Sequence, residues 1–280
     1  MKLVSVGAAA LLLSSVARAT VLFSNGPLIT NPTGGTSSIA GLPISRTESG
    51  TSVGRTLRGA FGHAVADDFS FSGDAWDLDS ATFYVYVSGQ NLTNPTGADN
   101  PVTHVRLNIW TDVPFSAGSP PPVPSPLPTP VFAEDLLLPV TSASFIGHRT
   151  SATSTASIRP MYAITVSLDG VPALQTLDAG TYWLEWAYLA TDPNALLNTP
   201  LVTPRANASN LNGRQLNVFD ASGTVAWFEA RDGFTSTNPG LSMAFPFELS
   251  GRVIPEPGSL ALIGLITLGT LRSRAIRRAL

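Results

Sequence analysis

No cysteine occurs among the 280 residues, which excludes disulfides, thiolate metal sites and a cysteine nucleophile. Without such cross-links a domain must rely on its core, and a chain of roughly 230 residues buries most of the surface it would expose unfolded. Lysine is confined to Lys2, and only 12% of the residues are charged, a composition that suits strands and turns better than salt-bridged helices. From Thr20 to Ile254 there are 10 Arg against 18 Asp plus Glu, a net −8, which argues against nucleic acid as a partner. His63, His104 and His148 are far apart, and none stands in an HExxH or HxH spacing; they read as surface or strand-end residues, not metal ligands. No segment of the body carries an amphipathic helical pattern.

The chain is rich in turn formers and apolar residues. With 24 Gly, 23 Pro and 44% hydrophobic residues, it predicts short strands joined by many turns. Several runs alternate with a period of two, the mark of strands with one buried face. In ATFYVYV, Phe83, Val85 and Val87 share a face; in HVRLNIW, Val105, Leu107 and Ile109 do. MYAITVSL aligns Tyr162, Ile164, Val166 and Leu168, and TYWLEWAY aligns Tyr182, Leu184, Trp186 and Tyr188. LSMAFPFELSG aligns Leu241, Met243, Phe245, Phe247 and Leu249, and Pro246, lacking a ladder donor, predicts an edge strand there. Asp169-Gly170 and Ala179-Gly180 read as turns. Residues 24–60 hold few strong strands and read as loops. The expected fold is all-β, an antiparallel sandwich of jelly-roll type spanning residues 20–252.

PFSAGSPPPVPSPLPTP, residues 114–130, holds eight prolines and predicts a stiff, extended loop inserted between strands. Asp67, Asp68, Asp74, Asp77 and Asp79 crowd into thirteen residues. They are the candidate ligands for calcium, which takes six to eight oxygens; the alternative is a set of turn and strand-end carboxylates, and no other cofactor is indicated. GTSVG places Ser52 in a Gly-x-Ser-x-Gly pattern, but neither a core strand before it nor a helix after it supports a hydrolase elbow. Among the five tryptophans, Trp183 and Trp110 fall on the faces opposite the apolar ones and are the candidates for stacking on sugar rings, with core packing under a second sheet as the alternative.

Both ends read as addresses. Lys2, an apolar run from Leu3 to Val16 and the Ala17-Arg18-Ala19 site have the three parts of a secretory signal, residues 1–19. At the other end, Gly258 to Leu271 is a mostly apolar stretch of 14 residues; as a helix it covers about 21 Å, short of the roughly 30 Å hydrocarbon core. Arg272, Arg274, Arg277 and Arg278 follow it and can snorkel to anionic lipid on the cytoplasmic side. Pro255 and Pro257 bar the helix from extending backwards.

Pro255-Glu256-Pro257, the apolar stretch and the terminal Arg cluster, in that order over residues 253–280, resemble the PEP-CTERM sorting signal of bacterial surface proteins. The resemblance implies that an exosortase-type membrane peptidase reads the three residues as a substrate's recognition signal, in a bacterium that makes exopolysaccharide. SNGPLIT, AVADDFSF, IRPMYAITVSLDG, AGTYWLEWAY and AFPFELSG are similar to a β-sandwich ectodomain, without an assigned activity, that accompanies such tails. The expectation is an exported non-enzymatic protein of the cell surface or extracellular matrix. It would pass through the secretion machinery and be held transiently at the inner membrane by its C-terminal helix. A carbohydrate-binding module is the alternative and a secreted hydrolase a weaker one; an ordinary membrane anchor is the alternative for the tail.

Overall fold

A computed structural model describes residues 19–33, 41–48, 54–57, 62–90, 92, 94–111, 136–151, 159–203, 212–218, 225–232 and 240–255. The signal segment up to Arg18, the 114–130 insertion, Ser52 and the tail from Glu256 onward lie outside the described residues. Among the described residues fifteen strands carry the fold: β1 (Thr20–Ser24), β2 (Ile44–Arg46), β3 (Gly54–Thr56), β4 (Ala64–Phe71), β5 (Ala75–Val87), β6 (Val102–Trp110), β7 (Leu136–Thr150) and β8 (Arg159–Ser167), followed by β9 (Gly180–Ala190), β10 (Leu197–Pro200), β11 (Arg214–Val218), β12 (Val225–Glu229), β13 (Arg231–Asp232), β14 (Leu241–Ser242) and β15 (Phe247–Ile254). The described residues contain two short 3-10 turns and no α-helix, and none of their helices is long and apolar enough to cross a membrane.

Thirteen strands form one large sheet, whose main path runs β1-β15-β5-β8-β7-β6-β9-β4-β11-β12. Every pairing is antiparallel except that of β2 with β7. The 15-residue β7 belongs to both halves of the path: Leu136 to Pro139 pair with β6, and Val140 onward pairs with β8. Near its far end Gly147 has φ 146° and stands where an added Cβ would meet the Pro43 carbonyl oxygen at 2.5 Å, so only glycine lets β2 lie against this strand.

The predicted alternation builds the core. Phe83, Tyr162, Ile164, Val166, Leu184, Trp186, Val105, Leu107 and Ile109 are all fully buried. Strands that are not ladder neighbours meet through these side chains. Trp186 of β9 lies with its ring centroid 5.2 Å from Phe83 of β5 and 5.7 Å from Phe247 of β15, and Phe69 of β4 lies 5.9 Å from Phe23 of β1. Such offset aromatic pairs add to the burial of the rings themselves.

Two expectations need correction. The chain from Met243 to Pro246 runs outside the ladder, and β15 begins only at Phe247. It is an interior strand between β1 and β5, not an edge; Pro246, with no N–H to give, falls in the irregular stretch before the ladder, so it costs the sheet nothing. Residues 24–60 also contribute more than loops, since β2 and β3 pair with β7 and β10.

Candidate functional site

The ladder register brings the two candidate tryptophans together. β6 and β9 run antiparallel with Trp110 directly opposite Trp183, and Asn108 opposite Glu185. Directly opposite side chains project to one side and lie about 4.5–5.5 Å apart at Cβ. The face they share is the one opposite Trp186, so it points away from the aromatic core.

Further strands extend this face. β4 pairs with β9 through Asp68↔Trp183 and Ala66↔Glu185, β11 follows with Arg214↔Ala66, and β12 with Arg214↔Glu229 and Leu216↔Trp227. Trp110, Trp183 and Trp227, three of the five tryptophans, therefore stand on one side of β6-β9-β4-β11-β12. Arg214, Trp227 and Glu229 escaped the sequence reading, although RQL and AWFE carry the same period-two signal once their strands are paired.

The side chains on this face form two polar groups. Trp110 donates its Nε1–H to Glu185 Oε2 at 2.9 Å, and Arg106 Nη2 approaches the other carboxylate oxygen at 3.9 Å. Alongside, the Arg214 guanidinium lies 5.8 Å over the Trp183 ring, a cation–π arrangement favoured by partial desolvation. Glu229 accepts from Arg231 Nη2 at 2.7 Å and from the Ser242 hydroxyl, and sits 3.8 Å from Arg214 Nη1. Burial alone would raise the Glu229 carboxyl; Ser242, Arg231 and Arg214 outweigh it and hold it below its ordinary value.

Exposure separates the two tryptophans. Trp183 retains only 6% of its surface, so its ring is not a free platform, and Arg214 occupies one of its sides. Alternation alone puts Trp183 on an outer face; it does not say whether that face is covered. Trp110 is half-buried and keeps part of its indole open.

The five aspartates are not gathered. Asp67 is in phase with Val65 and Phe69 and points into the core, fully buried. Asn25 Nδ2 and the Phe245 N–H donate to its Oδ2 at 3.0 and 2.5 Å, and the Asp68 N–H donates to Oδ1 at 2.9 Å. Asp77 is held by Arg252, whose Nε and Nη2 both reach its Oδ2. Asp74 lies in the link between β4 and β5 and Asp79 on β5. Among the described residues no three His, Asp or Glu side chains converge as a metal site would require. Gly54, the last residue of the GTSVG pattern, opens the three-residue β3 and not the helix that a nucleophile elbow needs.

Comparison with protein-family models, with characterised proteins and with solved structures finds no match to the chain.

Proposed function

We propose that this chain is an exported, non-enzymatic protein of the cell surface or extracellular matrix. Its fold is read as an antiparallel sandwich of jelly-roll type, because β4 to β5 and β8 to β9 each pass from one half of the ladder to the other and the halves meet through Trp186, Phe83 and Phe247. The observation that supports the export reading is that, among the described residues, the strands lie between the two address segments. β1 begins at Thr20, one residue after Ala17-Arg18-Ala19, and β15 ends at Ile254, immediately before Pro255-Glu256-Pro257. The two strands are ladder partners, with Thr20 opposite Gly251. Removal of both address segments would leave every strand of the described residues intact, as a cleaved leader and a processed tail require. The partners on this reading are the secretion machinery, an exosortase-type peptidase reading Pro255, Glu256 and Pro257, and exopolysaccharide. Deletion of residues 255–280 should release the protein from membrane-bound to soluble fractions; unchanged fractionation would overturn the sorting role.

A second reading, carbohydrate binding, is favoured by the Trp110–Trp183 register pair and by the partly open Trp110 indole. Base and sugar rings alike stack on such indoles, and loss of one platform removes much of the affinity. Trp110→Ala should lose about tenfold or more in affinity for whichever glycan an array identifies, while the chain stays folded at the assay temperature. Equal binding by the variant would remove Trp110 from any such site.

A further inference from the structure

A cleft opens on the outer side of β5 and β15, in the half of the ladder that does not contain Trp110. Its volume is about 570 Å³, and Ser24, Leu28, Ile29, Tyr84, Ile146 and Glu248 line it. The size falls in the range of small-ligand sites. Its wall is made where the chain leaves β1: Gly26 turns with φ 78°, and Leu28 folds back onto Tyr86 and Met161, with Ile29, Tyr84 and Ile146 packed against them. That turn is fastened from beneath, because Asn25 is held by Asp67 and by the Phe245 carbonyl. The wall is thus an anchored part of the fold.

The floor is polar and carries one sign of charge. Glu248 accepts from the Ser24 hydroxyl at 3.4 Å, and Tyr84 lines the cleft beside it; both neighbours carry neutral hydroxyls. Among the described residues no arginine or histidine forms an ion pair with Glu248; Arg252, on the same strand, is turned to Asp77. Burial and then the Glu248 charge push the Tyr84 hydroxyl well above its ordinary value, so it stays protonated at neutral pH.

A carboxylate between apolar walls, with only hydroxyls beside it, selects for a cation. An anionic ligand would be repelled by Glu248 and by the net −8 of the body. A metal ion would find one carboxylate where it needs several oxygens. The volume exceeds what a bare ammonium fills, and two hydroxyls and three apolar side chains stand ready for the rest of a ring. We propose that this cleft binds the protonated amine of an amino sugar: Glu248 pairs with the ammonium, Ser24 and Tyr84 meet ring hydroxyls, and Leu28, Ile29 and Ile146 cover the ring's apolar edge.

The test is calorimetric titration of the purified full chain with a glucosamine tetramer and with its N-acetylated counterpart, at a pH where the free amine is protonated. The deacetylated tetramer should bind at least about tenfold more tightly, and added salt should weaken it. Glu248→Gln should remove that preference, and Ile29→Trp, which fills the cleft while keeping its wall apolar, should abolish binding. Equal affinity for both tetramers, no saturable binding, or full binding by a folded Ile29→Trp chain overturns the proposal.

Discussion

Asp67→Ala should cost about 3–5 kcal/mol of folding stability, read from the denaturant midpoint at constant slope. The carboxyl is fully buried and receives three N–H groups, from Asn25, Phe245 and Asp68. Truncation strands at least two of these donors in the core, at about 1–3 kcal/mol each, and adds a cavity. The damage is not local to β4, since Asn25 follows β1 and Phe245 precedes β15: one side chain fastens three separate stretches of chain. Asp67→Asn should cost less, because it keeps the volume and one acceptor. The pair also carries a pH signature. Burial raises the Asp67 carboxyl well above its ordinary value; the Phe245, Asp68 and Asn25 donors only partly offset this, and the neighbouring Asp68 charge adds to it. A folded-state value above the unfolded one, near 4, means that the fold binds more protons than the unfolded chain between the two values. The contribution is fully present below about pH 4 and is lost as pH rises through the folded value. The stability gap between the parent and Asp67→Asn should therefore narrow from pH 4 to pH 7; a gap that widens would contradict the buried, proton-binding carboxyl.

Arg149→Ala should be comparably severe, about 3–5 kcal/mol. This guanidinium has 1% of its surface exposed. Nη1 donates to the Ser45 hydroxyl at 2.6 Å and Nη2 to the Leu201 carbonyl at 2.9 Å, so it ties β2 and the end of β10 to β7. Burial lowers it to about 10, with Tyr86 and Asp232 drawing it back up; it stays charged at neutral pH. Removing it withdraws the cation from buried Asp232 and leaves two hydrogen-bonding groups unmatched. Arg149→Lys should recover only part of the loss, because a single ammonium lacks the fork that spans both acceptors. Pairing Arg149→Met with Asp232→Asn should cost less than the sum of the two single changes; strict additivity would mean that the two charges do not interact.

How much of this was legible in the sequence depends on the face of the strand concerned. MYAITVSL reads correctly as a strand, and Tyr162, Ile164, Val166 and Leu168 are all buried, because Ala163, Thr165 and Ser167 on the other face are only partly buried and leave a clean period of two; Met161, under Leu28, is the exception. TYWLEWAY reads correctly as a strand but leaves the exposure of Trp183 open between sugar stacking and core packing. Trp183, Glu185 and Ala187 are buried as well, and a two-sided burial of polar residues leaves no trace in alternation. In LSMAFPFELSG the alternation places Met243, Phe245, Phe247 and Leu249 inside although the chain leaves the ladder before Phe247, but it misplaces Leu241, which is exposed; apolar spacing does not record which backbones are paired. Asp67 could have been found, since it falls in phase with Val65 and Phe69, but turn carboxylates are the commoner outcome in such runs. Arg149 and the Tyr84–Glu248 cleft depend on contacts between distant segments and carry no local signal.

The position of β15 has a mechanical consequence. It is flanked on one side by β1 and on the other by β5, with eight registered residues along β5 alone. Tension entering the body through Pro255 runs along this strand and loads both ladders lengthwise, so many hydrogen bonds must shear together where an edge strand would peel one at a time. On the proposed tethered reading, the domain resists being pulled apart by the very strand that leads out of it.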